Sequence, residues 1–256
     1  IKTYGSGQPT LVVVGCLHGE EIVGKKIINT ISKYKWQRGT LKTIIANPLA
    51  VSKKKRFIHS DLNRSFPGTK DSKKNEEKIA YKLMQEIKPT DYLVDIHSTT
   101  TNTADVVVIK KKNNKILQLI NYISPKAVLI MPKGIGDGGL VNHCSGISFE
   151  YGRHEAKRTY TDTLKDIRKI MYGLGMIKGN VSKIKNKTKY YNVFGTETKP
   201  TGFVMNKNIK NFKKVTKGSI LGKVKNKTIL AQQDFYPVLF GPKAYKDIMG
   251  FKARLK

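Results

Sequence analysis

The 256-residue sequence predicts an α/β protein: a mixed, largely parallel sheet flanked by helices, followed by a small C-terminal β domain. Up to residue 178, apolar runs typical of buried strands alternate with segments whose apolar residues recur at helical spacing. Beyond that point, Val, Thr, Lys and Gly alternate in short stretches typical of β-strands. We therefore expect an α/β domain over 1–178 and a β-rich domain over 179–256 that could return to cover a cleft in the first.

The elements of the first domain follow in order along the chain. Strands are predicted over 10–17, 41–46, 92–97, 105–109, 127–131 and 146–150, and helices over 20–35, 75–88, 114–123 and 161–174. A long basic loop begins after Pro48 and continues to Gly68, and loops of this length in compact α/β units are usually functional or disordered. A second, glycine-rich loop is predicted from Lys133 to Gly146.

Side chains that suit a metal site fall at the carboxyl ends of three predicted strands: His18, His97 and Glu150. Ligands of such sheets bind beyond that edge. Glu21 follows His18 by three residues, where the first helix begins. Two histidines and one carboxylate suit Zn²⁺ and leave a position for water. We therefore predict one zinc ion held by His18, Glu21 and His97.

This set predicts a hydrolase that uses metal-activated water. Glu150 is the candidate general base, which takes the proton of the water and returns it to the leaving amine. Arg56, in the basic loop, could stabilise the oxyanion. Asn63 and Arg64 could clamp a substrate carboxylate, because the guanidinium is a planar fork and the amide is a donor.

The charge is strongly positive, with 49 basic and 18 acidic residues and a formal net charge of +31. Such a field attracts nucleic acids and acidic small molecules. Only seven of the cations are Arg, however, and the lysines are spread over the whole chain, which indicates a compositional bias. We therefore expect a small anionic substrate, and we do not expect specific nucleic-acid binding.

The sequence also bears on the surroundings of the protein. It contains no apolar run of about 18 residues, the length needed to cross a bilayer. Ile1 to Tyr4 do not begin a signal-peptide pattern. Cys16 and Cys144 do not form a disulfide framework. We expect a cytoplasmic protein with reduced thiols and no membrane partner, and a homo-oligomer remains open.

Five motifs occur in a fixed order in this sequence. They are His18-Gly-Glu-Glu21, Asn47-Pro48, Asp61-Leu-Asn-Arg-Ser-Phe-Pro-Gly68, Asp95-Ile-His97-Ser-Thr and Phe149-Glu150-Tyr-Gly152. Together they closely resemble the succinylglutamate desuccinylase/aspartoacylase family, a branch of the zinc carboxypeptidase-like amidohydrolases. The resemblance covers roughly residues 8–155 and extends weakly beyond them.

The resemblance implies a role for each matching position. His18, Glu21 and His97 match the zinc ligands, Glu150 matches the general base, Arg56 matches the arginine that polarises the scissile carbonyl, and Asn63 with Arg64 match the pair that binds the α-carboxylate. It also implies that Tyr245 reaches the pocket from the C-terminal domain. The glutamate beside the ligand, Glu20, is interpreted as a helix-start carboxylate.

Some positions depart from the pattern or stay outside it. Where aspartoacylase-like members have an arginine for a second substrate carboxylate, this chain has Leu140, and Lys133 could substitute for it. The resemblance therefore does not extend to a preference for acyl-aspartate or succinyl-glutamate. We interpret Asp61 as orienting the loop and Arg64, and His154 as a surface histidine.

Three functions are compatible with these observations. The leading hypothesis is a zinc-dependent amidohydrolase, or deacylase, that acts on a small N-acyl amino acid. The second is a carboxypeptidase-like peptidase acting on short peptides, since it would need the same carboxylate clamp. The third is a non-enzymatic anion or nucleic-acid binder, a hypothesis suggested by the net charge of +31.

Overall fold

The computed structural model describes residues 1–100, 105–180, 187–242 and 245–256. The elements up to residue 173 are β1 (Lys2–Ser6), β2 (Thr10–Gly15), α1 (Val23–Ile31), β3 (Gly39–Ile45), α2 (Pro48–Ser52), a 3₁₀ turn (Leu62–Arg64), α3 (Asn75–Glu86), β4 (Tyr92–Thr99), β5 (Val106–Ile109), α4 (Asn114–Ile123), β6 (Ala127–Ile130), α5 (Leu140–His143), β7 (Gly146–Arg153) and α6 (Lys157–Gly173). The remaining elements are β8 (Lys189–Thr198), β9 (Phe203–Met205), β10 (Ile220–Val224), β11 (Lys227–Leu230), β12 (Tyr236–Val238) and β13 (Ile248–Leu255).

Ten strands form one mixed sheet in the order β1-β3-β2-β4-β7-β5-β6-β8-β13-β12. The central neighbours β3, β2, β4 and β7 run parallel, whereas β5 runs antiparallel to β7. A separate antiparallel sheet contains β9, β10 and β11. The predicted fold class, a largely parallel sheet flanked by helices with a small C-terminal sheet, is confirmed.

Strand β2 is buried on both faces, which explains its unbroken apolar sequence. Leu11 and Val13 belong to the cluster that also contains the buried residues of α1, α4 and α6. Val12 and Val14 point to the opposite face, into the cluster that contains the buried residues of α3. The strand that leads to His18 is therefore fixed by packing on both sides.

The first predicted strand and helix are both shorter than expected. Strand β2 ends at Gly15 because Cys16 takes a left-handed backbone conformation (φ 59°) that interrupts the extended chain. The helix predicted over 20–35 begins only at Val23, because the main-chain N–H of Glu21 donates to the His18 carbonyl in a turn. His18 and Glu21 therefore lie in the connection between the two elements.

Other differences lie at segments with weak sequence signals. Strand β1 was not predicted; it is a mostly exposed edge strand that lacks an apolar face. The basic loop contains α2 and the 3₁₀ turn, and the glycine-rich loop contains α5. Strand β7 continues to Arg153, so that Glu150 lies inside the strand.

The main sheet continues beyond the predicted domain boundary at residue 178. Strand β8 pairs in parallel with β6, and β13 pairs with β8. Strands β9 to β11 pack over a smaller cluster of their own, which includes Phe235 and Phe240. The division into 1–178 and 179–256 remains a prediction, with β8, β12 and β13 attached to the sheet of the first part.

None of the described helices has the length and apolar character that crossing a bilayer requires.

The connection that carries His18 and Glu21 depends on a close backbone approach between β2 and α1. A Cβ atom added to Gly15 would lie 2.8 Å from the Cα atom of Gly24, and one added to Gly24 would lie 2.7 Å from the Cα atom of Gly15. Both contacts are with main-chain atoms, which cannot rotate away. The two glycines thus allow α1 to start directly against the end of the strand.

We expect Gly15→Ala to lower the free energy of unfolding by about 1–3 kcal/mol, the usual cost of overpacking a core. Chemical denaturation measures this value. Gly195→Ala is the matched control, since the nearest atom to its added Cβ is the flexible Lys252 Cε at 3.5 Å. Equal denaturation midpoints for the wild type and Gly15→Ala would show that the close approach is not a constraint.

Candidate metal centre and active-site pocket

The Glu21 carboxylate joins the two predicted histidine ligands. Its Oε1 atom lies 2.7 Å from His18 Nδ1, and its Oε2 atom lies 3.0 Å from His97 Nδ1. The main-chain N–H of Ser98 also donates to Oε2, at 3.2 Å. The three side chains are buried, with at most 3% of each exposed. A buried carboxylate such as that of Glu21 is stable only beside charged or polar groups, and the two histidines are such groups.

The outer nitrogen of each histidine contacts a second carboxylate. His18 Nε2 lies 2.9 Å from Asp61 Oδ1, and His97 Nε2 lies 2.8 Å from Asp95 Oδ2. A carboxylate at Nε2 favours the tautomer that carries its proton there, which leaves the Nδ1 lone pair for a metal ion. The sequence did not identify Asp95, and it did not predict the contact between Asp61 and His18.

The donor set fits a metal ion. One ligand atom from each of His18, Glu21 and His97 lies within 4.8 Å of the others. Both imidazoles are oriented by carboxylates, as is usual for histidines that bind metals. Two nitrogens and one carboxylate are donors typical of Zn²⁺ and related transition metals. These residues could therefore hold a metal ion at the end of β2 and β4.

The charges of this cluster are strongly coupled. Burial raises the pKa of Glu21, but the opposite effect of His18 and His97 is larger, so that the pKa lies well below its usual range. Burial likewise lowers the pKa of His97, whereas Asp95 and then Glu21 raise it well above its usual value. Glu21 is therefore a carboxylate, and it stabilises positive charge between the two imidazoles, whether that charge comes from protons or from a metal ion.

The structure brings the eight predicted site residues together around one pocket. They are His18, Glu21, Arg56, Asn63, Arg64, His97, Glu150 and Tyr245. They come from five separate stretches of the chain, including the C-terminal segment that carries Tyr245. Their individual roles remain predictions.

Glu150 faces the pocket from β7, directly beside the strand that carries His97. The two residues are paired in register between parallel strands. Burial raises the pKa of Glu150 to about 7, and the charge of Glu21 also raises it, whereas the neighbouring histidines lower it. A carboxylate with a pKa near neutrality can both accept and return a proton.

Arg56 lies among three carboxylates at the rim of the pocket. Its guanidinium is 3.3 Å from Asp61 Oδ2, 3.4 Å from Glu20 Oε1 and 3.7 Å from Glu21 Oε1. Glu20 lies before the N-terminus of α1 and pairs with this arginine, so its interpretation as a helix-start carboxylate is wrong. Arg56 is therefore a cation that is largely compensated by its neighbours.

The Asn63 and Arg64 pair is held in place by the glycine-rich loop. The Leu140 main-chain N–H donates to Asn63 Oδ1 at 3.2 Å, so the amide nitrogen of Asn63 remains a donor. A Cβ atom at position 138 would lie 2.2 Å from the main-chain oxygen of Arg64, so position 138 requires a glycine. The Arg64 side chain is exposed, and it donates to the Asn63 main-chain oxygen at 2.7 Å.

Tyr245 reaches the pocket from the segment before β13. Its ring packs edge-on against Phe251, with the ring centroids 5.4 Å apart. Burial and then the charge of Glu150 raise the pKa of the Tyr245 hydroxyl well above its usual value. The hydroxyl is therefore a neutral hydrogen-bond donor at physiological pH.

Comparisons with known proteins identify the family of this chain. Residues 7–171 match the family model for the catalytic domain of succinylglutamate desuccinylase/aspartoacylase, which covers more than half of the chain. The chain belongs to the succinylglutamate desuccinylase/aspartoacylase family. The predicted family is thereby confirmed.

Two curated relatives of this family illustrate the range of similarity. An N-acyl-aromatic-L-amino acid amidohydrolase from Xenopus laevis is 33% identical over 132 residues, which cover 46% of this chain and 43% of the relative. A mouse aspartoacylase is 30% identical over 135 residues, which cover 44% of this chain and 42% of the relative. The matched segment thus spans less than half the length of these two relatives.

Solved structures of the family share the fold over nearly the whole chain. Murine aminoacylase 3 superposes with a TM-score of 0.77 at 20% identity, covering 98% of this chain and 97% of that structure. A succinylglutamate desuccinylase/aspartoacylase from Rhodobacter sphaeroides superposes with a TM-score of 0.75 at 16% identity, covering 98% and 86%. At these identities the likeness shows the fold alone.

Besides Asp95, two further residues near the site, Glu76 and His154, were not identified from the sequence. Glu76, at the start of α3, is fully buried and accepts hydrogen bonds from the main-chain N–H groups of Ile58, His59 and Ser60. It thereby holds the loop between Arg56 and Asp61. Its sequence position resembles an ordinary helix-start acid, so no local signal distinguishes it.

His154 lines the pocket and is not the surface histidine that we expected. Its side chain is 19% exposed, and its Nδ1 atom lies 2.8 Å from Ser98 Oγ. It follows Glu150 by four residues, at the end of β7. The sequence could have indicated this position, because His154 comes directly after the strand that carries Glu150 and ligands bind beyond that edge of the sheet.

We expect Asp95→Asn to weaken metal binding by about 10- to 100-fold, because the His97 imidazole loses the carboxylate that orients it. Competition with a chelating indicator measures the affinity. Asp105→Asn is the control, since Asp105 pairs with Arg158 outside this pocket. A variant that binds metal as tightly as the wild type would contradict the orienting role of Asp95.

Proposed function

We propose that this chain is a zinc-dependent amidohydrolase that cleaves the amide bond of a small N-acyl amino acid. The observation that carries the proposal is the buried His18, Glu21 and His97 set, with Glu150 beside it in the same pocket. The names of the relatives, an N-acyl-aromatic-L-amino acid amidohydrolase and an aspartoacylase, support a deacylase.

The three ligands suit one Zn²⁺ ion and leave room in its coordination shell. A bound Zn²⁺ would bring the pKa of a water ligand towards 7 and polarise the carbonyl of the amide. His18 and His97 would bind through Nδ1, because their Nε2 atoms face Asp61 and Asp95.

Glu150 moves the proton in this proposal. With a pKa raised to about 7 by burial, it can take the proton of the attacking water and deliver it to the leaving nitrogen. No other role competes for this carboxylate, since Glu21 bridges the two histidines. The delivered proton completes cleavage to a carboxylic acid and an amine.

Arg56 and Tyr245 supply donors for the charge that develops on the carbonyl oxygen. The Arg56 guanidinium lies within 3.7 Å of Glu21 Oε1, which places it next to the ligand cluster. Tyr245 contributes a neutral O–H group on the side of Glu150. Fixed donors of this kind stabilise the transition state without reorganisation.

Asn63 and Arg64 hold the free carboxylate of the substrate. Arg64 offers a planar fork of donors, and the Asn63 amide nitrogen adds another because its oxygen is occupied by Leu140 N–H. The clamp fixes the distance from the carboxylate to the cleaved bond. In an N-acyl amino acid the carboxylate and the amide nitrogen are attached to the same carbon atom, so holding the carboxylate also positions the amide.

We expect Glu150→Ala to retain zinc and to lower kcat by roughly 10²- to 10⁴-fold, the usual loss when a general base is removed. Steady-state hydrolysis of N-acetyl amino acids, together with metal analysis, measures both values. His18→Ala is the contrasting variant, which should lose stoichiometric zinc. Wild-type protein that never retains zinc would exclude the proposal, and undiminished turnover by Glu150→Ala would exclude this base.

We expect Arg64→Ala to lower kcat/KM by about 10- to 100-fold for substrates with a free α-carboxylate, the value of a charge-assisted hydrogen bond. Their methyl esters should lose little. Arg153→Ala is the control, because this exposed arginine lies outside the described pocket lining. An equal loss on acids and esters would show that Arg64 does not bind the carboxylate. A preference for dipeptides over N-acyl amino acids would favour the peptidase instead.

A further inference from the structure

The pocket contains few cations that a substrate could use. Among the described residues that line it, the side chains with a permanent positive charge are Arg56 and Arg64. Lys133, which could have replaced the missing arginine, is exposed and is not part of this lining. The number of substrate carboxylates that the pocket can neutralise therefore depends on these two guanidinium groups.

Arg56 is already neutralised. Its guanidinium pairs with Glu20 at 3.4 Å and with Asp61 at 3.3 Å, and Glu21 lies 3.7 Å away. A substrate carboxylate placed beside Arg56 would meet these like charges at close range, which offsets the attraction of the guanidinium. Arg56 can still donate to the oxygen of the reacting carbonyl, but its compensated charge makes it a poor partner for a second, permanently charged carboxylate of the substrate.

Arg64 is in a different state. Its side chain is exposed, its hydrogen bond goes to a main-chain oxygen, and no carboxylate of the described residues pairs with it. Asn63 adds one neutral donor beside it. The described pocket therefore has one anion clamp.

Among the described residues, the remaining wall of the pocket adds no second guanidinium or ammonium group. Leu140, at the position of the missing arginine, is fully buried in the apolar cluster that includes Leu62 and Phe66, so its side chain packs in the core. Leu239 and Tyr245 give the pocket apolar and aromatic surface. A second carboxylate enclosed there would lose its water and meet only hydroxyl and imidazole groups, such as Ser98 and His154, in place of a guanidinium, which is unfavourable.

We propose that the substrate carries a single carboxylate, and that both its acyl group and its amino-acid side chain are uncharged. This inference rests on the proposed function, because it concerns the same pocket. N-acyl derivatives of neutral amino acids belong to the favoured class. N-acyl-aspartate and N-succinyl amino acids are excluded from it, because each carries a second carboxylate.

Matched substrate pairs test the inference, because each pair differs in charge at nearly constant shape. N-acetyl-L-asparagine and N-acetyl-L-aspartate compare the side-chain end, and N-succinamoyl-L-alanine and N-succinyl-L-alanine compare the acyl end. With zinc-loaded protein we expect kcat/KM to favour the neutral member of each pair by on the order of 10²-fold or more. Equal or higher values for either dianion would overturn the inference.

Equilibrium binding separates this inference from the proposed function. The same four compounds are titrated into zinc-loaded Glu150→Gln, which should bind without turnover, and the dissociation constants are compared by calorimetry. We expect the same order of preference. Tighter binding of the neutral compounds without hydrolysis by the wild type would refute the amidohydrolase but retain the single clamp, and tighter binding of the dianions would refute the clamp.

The neutralisation of Arg56 has a test of its own. Glu20→Gln removes one partner of Arg56 and should reduce the preference for N-acetyl-L-asparagine over N-acetyl-L-aspartate by about threefold or more, since a freed cation attracts the second carboxylate. Glu155→Gln is the matched control: this exposed acid lines a neighbouring surface cleft and lies outside the described pocket lining. Equal shifts in both variants would show that Arg56 is not specifically neutralised by Glu20.

Discussion

The shared Glu21 carboxylate is the interaction on which the site depends. It is buried between two imidazoles, and each imidazole is backed by another carboxylate. Positive charge between these acids is needed to offset their desolvation, and it can come from protons or from a metal ion. The fold serves this arrangement: β2 and β4 are neighbouring parallel strands, so His18 and His97 arrive at the same edge. The close approach of Gly15 and Gly24 then brings Glu21 between them.

Buried carboxylates also organise the surroundings of the pocket. Glu76 gathers three main-chain N–H groups of the basic loop and the side chain of Asn47. Asp61 links that loop to His18 and caps the 3₁₀ turn by accepting the main-chain N–H of Asn63. The long basic loop is therefore ordered by side chains, since its backbone groups find few partners in regular elements. This explains how Arg56, Asn63 and Arg64 can be positioned without a strand or a long helix.

The predictability of the site follows from the range of the interactions involved. His18 and His97 could be predicted because an apolar strand and its end are local features of the sequence. Asp95 was within reach, since residues two apart in a strand share a face, and it lies two residues before His97. The contacts of Glu76 with Ile58 and of Glu20 with Arg56 join residues 18 and 36 positions apart, so no local pattern reports them. The same limit applies to the joining of β8 to β6, because strand order in a sheet depends on the whole fold.

The charged residues are unevenly distributed, which the net charge alone did not reveal. The chain has 18 acidic residues, and a third of them surround this site: Glu20, Glu21, Asp61, Glu76, Asp95 and Glu150. The lysines spread over the rest of the surface attract anions from a distance, although salt screens this attraction beyond roughly 8–10 Å. Inside the pocket the balance reverses, since three carboxylates contact Arg56, whereas the exposed Arg64 forms no ion pair with a described carboxylate. The long-range field therefore favours the approach of any small anion, whereas the local carboxylates determine which anions can be enclosed.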